Sequence, residues 1–362
     1  MNILLHDDWE IYGDGSGNPE QLMFEPARRI LDICDIYGAK YTFFAEIGQQ
    51  LHMLNASEPS WRKCAAHWET TLKDAVSRGH DVQLHFHPQW IGANLKNGSW
   101  QLNHTYWNTG HIEPAVLTEW IGKGKKYLED LLQPVNNNFT ICSYRAGGWM
   151  CQPSSGIYTA LRDNGIVSDV SIMPGRHCKY ADGGQVDFRD AHSRFMPWEV
   201  DPDDFSQYKQ GSGIWEFPVY TETSSLPHMI YLLKKAFYPR HYYKIYNARK
   251  LHKGKGAYSP SIVERGKAKE YYGSFGYMHY KHLLTYVNDI RQNKDTSGNP
   301  KYLILLTHSK SFLDYTNFEN FLKSLSRYED VVFSTTRSFV KNFISNNHST
   351  STQSTNENGQ TS

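Results

Sequence analysis

Short apolar runs punctuate the chain, and most of them end on a polar or charged residue. Residues 3–6 (ILLH), 41–45 (YTFFA), 139–144 (FTICSY), 167–172 (VSDVSI), 213–220 (GIWEFPVY), 302–307 (YLILLT) and 331–334 read as strands. A further strand lies in 79–90 (GHDVQLHFHPQW), where Val82, Leu84 and Phe86 alternate with Gln83, His85 and His87. Pro88 cannot donate to a central ladder, so that strand should stop there. Between the strands the period changes to that of a helix over 19–37, 61–77, 114–132, 154–164, 280–292, 317–325 and 338–344.

Strands alternating with helices imply a parallel sheet. One helix for nearly every strand predicts an α/β fold, a distorted seven-stranded (β/α) barrel occupying residues 1–344. Residues 226–282 break the alternation and are expected to form an inserted basic helical segment. Residues 345–362 are Ser, Thr, Asn and Gln without periodicity and are expected to form a disordered tail. In such barrels the chemistry sits at the C-terminal ends of the strands. Asp7, Asp8, Glu46, His85, His87, Arg145, Glu216 and His308 all fall there.

Residues i and i+2 of a strand share a face, so His85 and His87 point the same way, about 7 Å apart along the strand. Two imidazoles at a strand tip suit a catalytic zinc ion; the alternative is two ordinary polar strand residues. Asp7 and Asp8 can enter one site only where their strand is ending, because neighbours on a strand face opposite ways. There, one carboxylate can hold a metal while the other acts as a base. An Asx turn or a helix cap is the plainer reading of the pair.

Taken in order, LLHDDWE, YTFFAEIG, GHDVQLHFHP, YRAGGW, VSDVSIMPG and LLTHSK resemble the motifs of the polysaccharide deacetylase superfamily, the NodB-homology enzymes of carbohydrate esterase family four. Three departures mark a divergent branch, resembling members associated with bacterial surface-polysaccharide biosynthesis. The histidines stand two apart rather than four, the third motif lacks its prolines, and the fourth is matched only by Ile214-Trp215-Glu216-Phe217. The resemblance implies a divalent metal, zinc foremost, held by Asp8, His85 and His87. It implies Asp7 as general base, Arg145 as the group that holds Asp7, and His308 as the acid that protonates a leaving amine. The implied reaction is removal of an N-acyl group, acetyl first, from an amino sugar. Deformylation, cyclic-amide hydrolysis and an inactive sugar-binding barrel are the alternatives. Glu46 and Glu216 at strand ends, with Trp149 and Trp215 beside the motifs, are candidate substrate contacts.

Composition adds limits. The 362 residues carry 38 Lys and Arg against 37 Asp and Glu, which gives no global reason to expect a nucleic-acid partner. Five cysteines without a CxxC pair read as reduced thiols of a cytoplasmic protein. The start MNILLHDDWE lacks the pattern of a signal peptide, and no apolar run is long enough to span a bilayer. The exception to the balanced charge is 226–256, basic and aromatic with no acid. This segment is expected to grip the phosphates of a nucleotide- or lipid-linked amino sugar, or to make peripheral contact with the inner membrane. A solvated flap is the plainer alternative.

Overall fold

The computed structural model describes residues 1–235, 238–252, 260–293 and 300–357. Ten strands build the main sheet: β1 (Asn2–Trp9), β2 (Tyr41–Glu46), β3 (Asp81–Phe86), β4 (Ser143–Ala146), β5 (Ser168–Asp169), β6 (Trp198–Asp201), β7 (Asp204–Tyr208), β8 (Trp215–Glu216), β9 (Tyr302–Thr307) and β10 (Val332–Phe333). Their order is β7-β6-β8-β5-β4-β3-β2-β1-β9, with β10 beside the start of β1. From β8 to β9 every pairing is parallel. An antiparallel pair, β6 and β7, extends the β8 edge.

Strands β1, β2 and β3 are buried along nearly their whole length, as parallel strands covered on both faces must be. Helices α1 (Glu25–Ile36), α2 (Ile47–Leu54), α3 (Pro59–Ser77), α4 (Pro114–Leu132), α5 (Ser155–Asp163), α8 (Tyr280–Gln292) and α9 (Tyr315–Leu325) accompany the sheet. Helix α4 shows why they form and dock. Pro114 starts it, and Leu117, Ile121, Leu128 and Leu132 make one buried stripe. Gly124 lets it approach closely, since a Cβ there would meet Ile47 at 2.9 Å and Leu84 at 3.0 Å.

The α/β architecture is as expected, and the sheet is a curled half-barrel, compatible with the distorted barrel that the pattern predicts. Among the described residues its path is open between β7 and β9. The final helix, α10 (Thr336–Glu357), packs against the sheet through its first turns. Thr336 meets His6 of β1 and Thr42 of β2, and the Arg337 N–H donates to Asp81 of β3 at 2.8 Å. Phe339 and Phe343 meet Phe217, just past β8, and Phe339 also meets Tyr302 of β9. Ring packing thus spans the gap that no strand pairing closes. Helix α10 also runs beyond residue 344, where the sequence pattern suggested an end. Once nucleated against the sheet, each further turn adds hydrogen bonds without a new nucleation cost. Residues 358–362 of the expected tail lie outside the described residues.

Thr221–Ser224 pairs antiparallel with Lys269–Tyr272, and helices α6 (His228–Lys235) and α7 (Pro239–His252) lie in the chain between them. That stretch is not wholly helical, because Ile262–Arg265 joins His177–Tyr180 as a strand.

Candidate metal centre

Strand β1 continues through the acids to Trp9: Asp7 lies opposite Thr307, and Asp8 opposite Phe44. Alternation therefore governs Asp7 and Asp8, and they part. Asp8 faces into the curl together with His6 and Glu10. Asp7 points the other way and accepts from the Ser309 N–H at 2.8 Å and from the Ser309 hydroxyl. Burial pushes the Asp7 carboxyl up to about 7, against the Ser309 bonds.

The expected Arg145–Asp7 pair is not formed. Arg145, fully buried, instead grips Asp8, with Nη1 2.5 Å from Oδ1. Its Nη2 donates to His6 Nδ1 at 2.8 Å and its Nε to the Val170 carbonyl at 3.2 Å. Because arginine only donates, His6 must accept at Nδ1 and donate from Nε2, where Thr336 Oγ1 lies at 2.9 Å. Burial opposes ionisation of Asp8, but the guanidinium overcomes it and holds the carboxyl below its ordinary value. The other Asp8 oxygen faces His308, whose Nε2 is 3.6 Å away and whose side chain is 26% exposed. Burial lowers the His308 pKa, against the pull of Asp8, so its ring is a neutral one at the mouth of the site.

His85 and His87 converge as their spacing requires, with ring centroids 4.8 Å apart. Their acidic companion is Glu10, which the sequence reading passed over. Glu10 Oε2 lies 2.9 Å from His87 Nε2 and 3.9 Å from His85 Nε2. These three ligand atoms all lie within 4.8 Å of one another, and all three residues are buried. His85 Nδ1 sits 2.9 Å from the Arg145 carbonyl, which can only accept, so the proton is on Nδ1 and the Nε2 lone pair is bare. That Nε2 is buried without a hydrogen-bond partner. An imidazole tied back to a carbonyl, with its other nitrogen open beside a carboxylate, is the form a metal ligand takes. The donor set of one carboxylate and two imidazoles fits a divalent transition ion and leaves coordination positions for water and substrate. The triad can therefore hold a metal.

Electrostatics agree. Burial opposes a charge on Glu10, but His87 and Lys310 hold its carboxyl well below the usual range. Lys310 Nζ occupies the other Glu10 oxygen at 2.7 Å, leaving Oε2 for the histidines. Burial works against a proton on His87, yet Glu10 raises its pKa above the ordinary value. Burial brings the His85 pKa down to about 4, against the attraction of Asp8. Gly147 leaves the space that His87 fills: a Cβ there would stand 2.6 Å from the ring.

The four expected substrate contacts are placed unequally. Trp149 lies at the site, its ring 5.3 Å from the Arg145 guanidinium, in the left-handed region at φ 66°. A non-glycine residue held there stores strain of a kind that clusters at functional positions. Glu46 is fully buried and caps α2 through the Gly48 and Gln49 N–H groups, while also accepting from the His87 N–H at 3.0 Å. It joins three elements behind the site and presents no face to a substrate. Glu216 is enclosed too, accepting from the Ile172 N–H at 3.0 Å. Trp215 packs on Phe343 of α10, ring centroids 5.1 Å apart. Glu10, His6, Ser309 and Lys310 are what the sequence reading missed. Period-two alternation carried past His6 would have found Glu10.

No family profile matches the chain, and neither does any curated protein. Solved structures do resemble it. A Mycobacterium smegmatis protein described as a polysaccharide deacetylase shares the fold at a TM-score of 0.51 and 12% identity, over 96% of this chain and 91% of that one. The GH57 branching enzyme of Thermococcus kodakaraensis matches at a TM-score of 0.53 and 11% identity, over 94% of this chain and 70% of that one. The GH57-type branching enzyme of Pyrococcus horikoshii matches at 0.50 and 11%, with the same coverage. The fold is thus one shared with a protein described as a polysaccharide deacetylase and with two described as GH57 branching enzymes. At these identities the likeness speaks to the fold alone, and function has to be argued from the site.

Proposed function

We propose that this protein is a metal-dependent hydrolase that removes an N-acyl group, acetyl first, from an amino sugar of bacterial surface polysaccharide. The observation that carries the reading is the bare, buried His85 Nε2 beside His87 Nε2 and Glu10 Oε2. Glu10, His85 and His87 would hold the ion, with zinc the first candidate on its ligand types. When bound, such an ion polarises a carbonyl and lowers the pKa of water. Asp8, kept ionised and aimed by Arg145, takes the proton from the attacking water. Neutral His308 is rebuilt as a proton donor once that proton is relayed to it, and it protonates the departing amine. Trp149 offers a ring to a sugar face beside them.

The branching-enzyme likeness favours no second reading, because it speaks to the fold alone.

Metal content and acetate release, measured together on the pure protein, test the proposal. Glu10→Gln should lose the ion and with it all turnover of N-acetylated glucosamine oligomers. Asp8→Asn should keep the ion and lose turnover by about 100- to 10,000-fold, the usual weight of a general base. Loss of the ion in Asp8→Asn with retention in Glu10→Gln would restore Asp8 as the ligand. A metal-loaded wild type that releases neither acetate nor formate and opens no cyclic amide would leave a sugar-binding protein.

A further inference from the structure

The α6–α7 excursion breaks the rule that the rest of the molecule obeys. Of the eleven large apolar side chains that stand exposed among the described residues, five lie between 226 and 246. On α6, Tyr231 and Leu232 turn inward while Ile230 and Leu233 turn out, and Leu226 stands one turn earlier. On α7, Ile245 turns inward while Tyr243 and Tyr246 are 69% and 64% exposed. The spacings 230/233 and 243/246 are those of one face of a helix, and Leu226 precedes α6. The inward faces are satisfied: Tyr231, Leu232 and Tyr271 form a small core of their own, with Tyr242 packed on it. The outward faces are therefore not the loose side of an unfolded segment. They belong to helices already anchored from behind.

Charge is concentrated on the same stretch. Residues 226–256 hold eight Lys and Arg and no Asp or Glu, in a chain balanced at 38 against 37. Lys234 and Arg240 are exposed beside the apolar residues. Lys253 and Lys255 lie outside the described residues. No described helix is long and apolar enough to cross a membrane.

We infer that the outward face of α6 and α7 docks on an anionic lipid bilayer. A single surface with phosphate at its outer layer and hydrocarbon just beneath satisfies both features: the cations find headgroups, and Leu233, Ile230 and the tyrosine rings reach the boundary below. Nucleic acid would leave the aliphatic side chains in water. The excursion is also rooted beside the metal centre. Lys244 pairs with Asp314 at 3.0 Å, and the His241 ring donates toward the Tyr277 carbonyl at 2.8 Å. Asp314 closes the same short segment that sends Ser309 to Asp7 and Lys310 to Glu10. Docking would hold the site close to the bilayer, so that, on the proposed deacetylase reading, its amino sugar is one carried on a lipid or held at the membrane.

Sedimentation of the full chain with vesicles tests this directly. Vesicles of equal parts phosphatidylcholine and phosphatidylglycerol should bind the protein, and phosphatidylcholine alone should not. Leu233→Ser with Tyr246→Ser should weaken binding at least about tenfold, and Lys234→Gln with Arg240→Gln by about fivefold per charge. Raised salt should weaken the wild type. Both variants should keep the wild-type circular dichroism and the wild-type rate on a small soluble amide. No binding to anionic vesicles, or equal binding by the apolar variant, overturns the inference. So does a dimer in solution that Leu233→Ser dissolves, because the face would then join two copies of this chain. Vesicle binding without any hydrolysis would leave the docking surface standing and remove the deacetylase reading alone.

Discussion

Two regions of this molecule depart from the ordinary partition of residues, in opposite senses. At the rim of the curled sheet, Asp7, Asp8, Glu10, His85, His87 and Arg145 are charged or polar and almost wholly buried. On α6 and α7, Leu233, Tyr243 and Tyr246 are apolar and largely exposed. The rim is tolerated because each acid is answered, Asp8 by Arg145, Asp7 by Ser309, Glu10 by Lys310 and His87, while the His85 Nε2 is left open. A buried charge without such a partner costs several kcal/mol, on the order of 3–5 when one member of a pair is removed. The excursion has no such internal answer, and each apolar side chain left in water forgoes about 1.5–3 kcal/mol of burial. The comparison teaches that a closed network marks where chemistry is held still, whereas an unanswered surface marks where a partner is missing.

Breaking the closed network should have the largest effect. Arg145→Met strands Asp8 in the interior, and the folded state should lose on the order of 3–5 kcal/mol. Urea unfolding would show it as a lower midpoint at unchanged slope. Adding Asp8→Asn to that variant should restore part of the loss, since no uncompensated carboxylate then remains. If the double variant is no more stable than Arg145→Met, the pairing is not what stabilises this floor.

A smaller effect sharpens the same side of the comparison. Asp7 carries a carboxyl raised by burial from 3.8 to about 7, so the folded chain holds that proton more tightly than the unfolded chain does. Stability from this group is fully present below its unfolded value and is lost as pH rises through about 7. Asp7→Asn has no proton to release. Its stability relative to wild type should therefore improve from pH 4 to pH 7 and level off above that, as read by urea midpoints at several pH values. A difference independent of pH would mean that Asp7 is ionised throughout.

The smallest effect belongs to the open side. Leu233→Ser and Tyr243→Ser remove side chains that are 60% and 69% exposed, so stability should stay within about 0.5 kcal/mol of wild type. A loss comparable to that of a core residue would show that the excursion is packed by something other than its own small core.

Local pattern alone determined a good deal. The alternation of Val82, Leu84 and Phe86 with His85 and His87 specified that the two imidazoles converge, because side-chain period in a strand is a property of the backbone itself. The order of apolar runs and amphipathic helices likewise specified an α/β sheet, and the basic composition of 226–256 singled out the excursion. What tertiary structure decided was where β1 ends. A run of two acids reads locally as the close of a buried strand, and on that reading Asp7 and Asp8 share a site. Ladder bonds to β9 and β2, whose residues lie hundreds and tens of positions away, carry β1 on through Trp9. With the strand continued, Asp7 turns out to Ser309, Asp8 turns in to Arg145, and Glu10 arrives beside the histidines. Strand length is set by the partners available for hydrogen bonding, and the sequence of β1 holds no record of them.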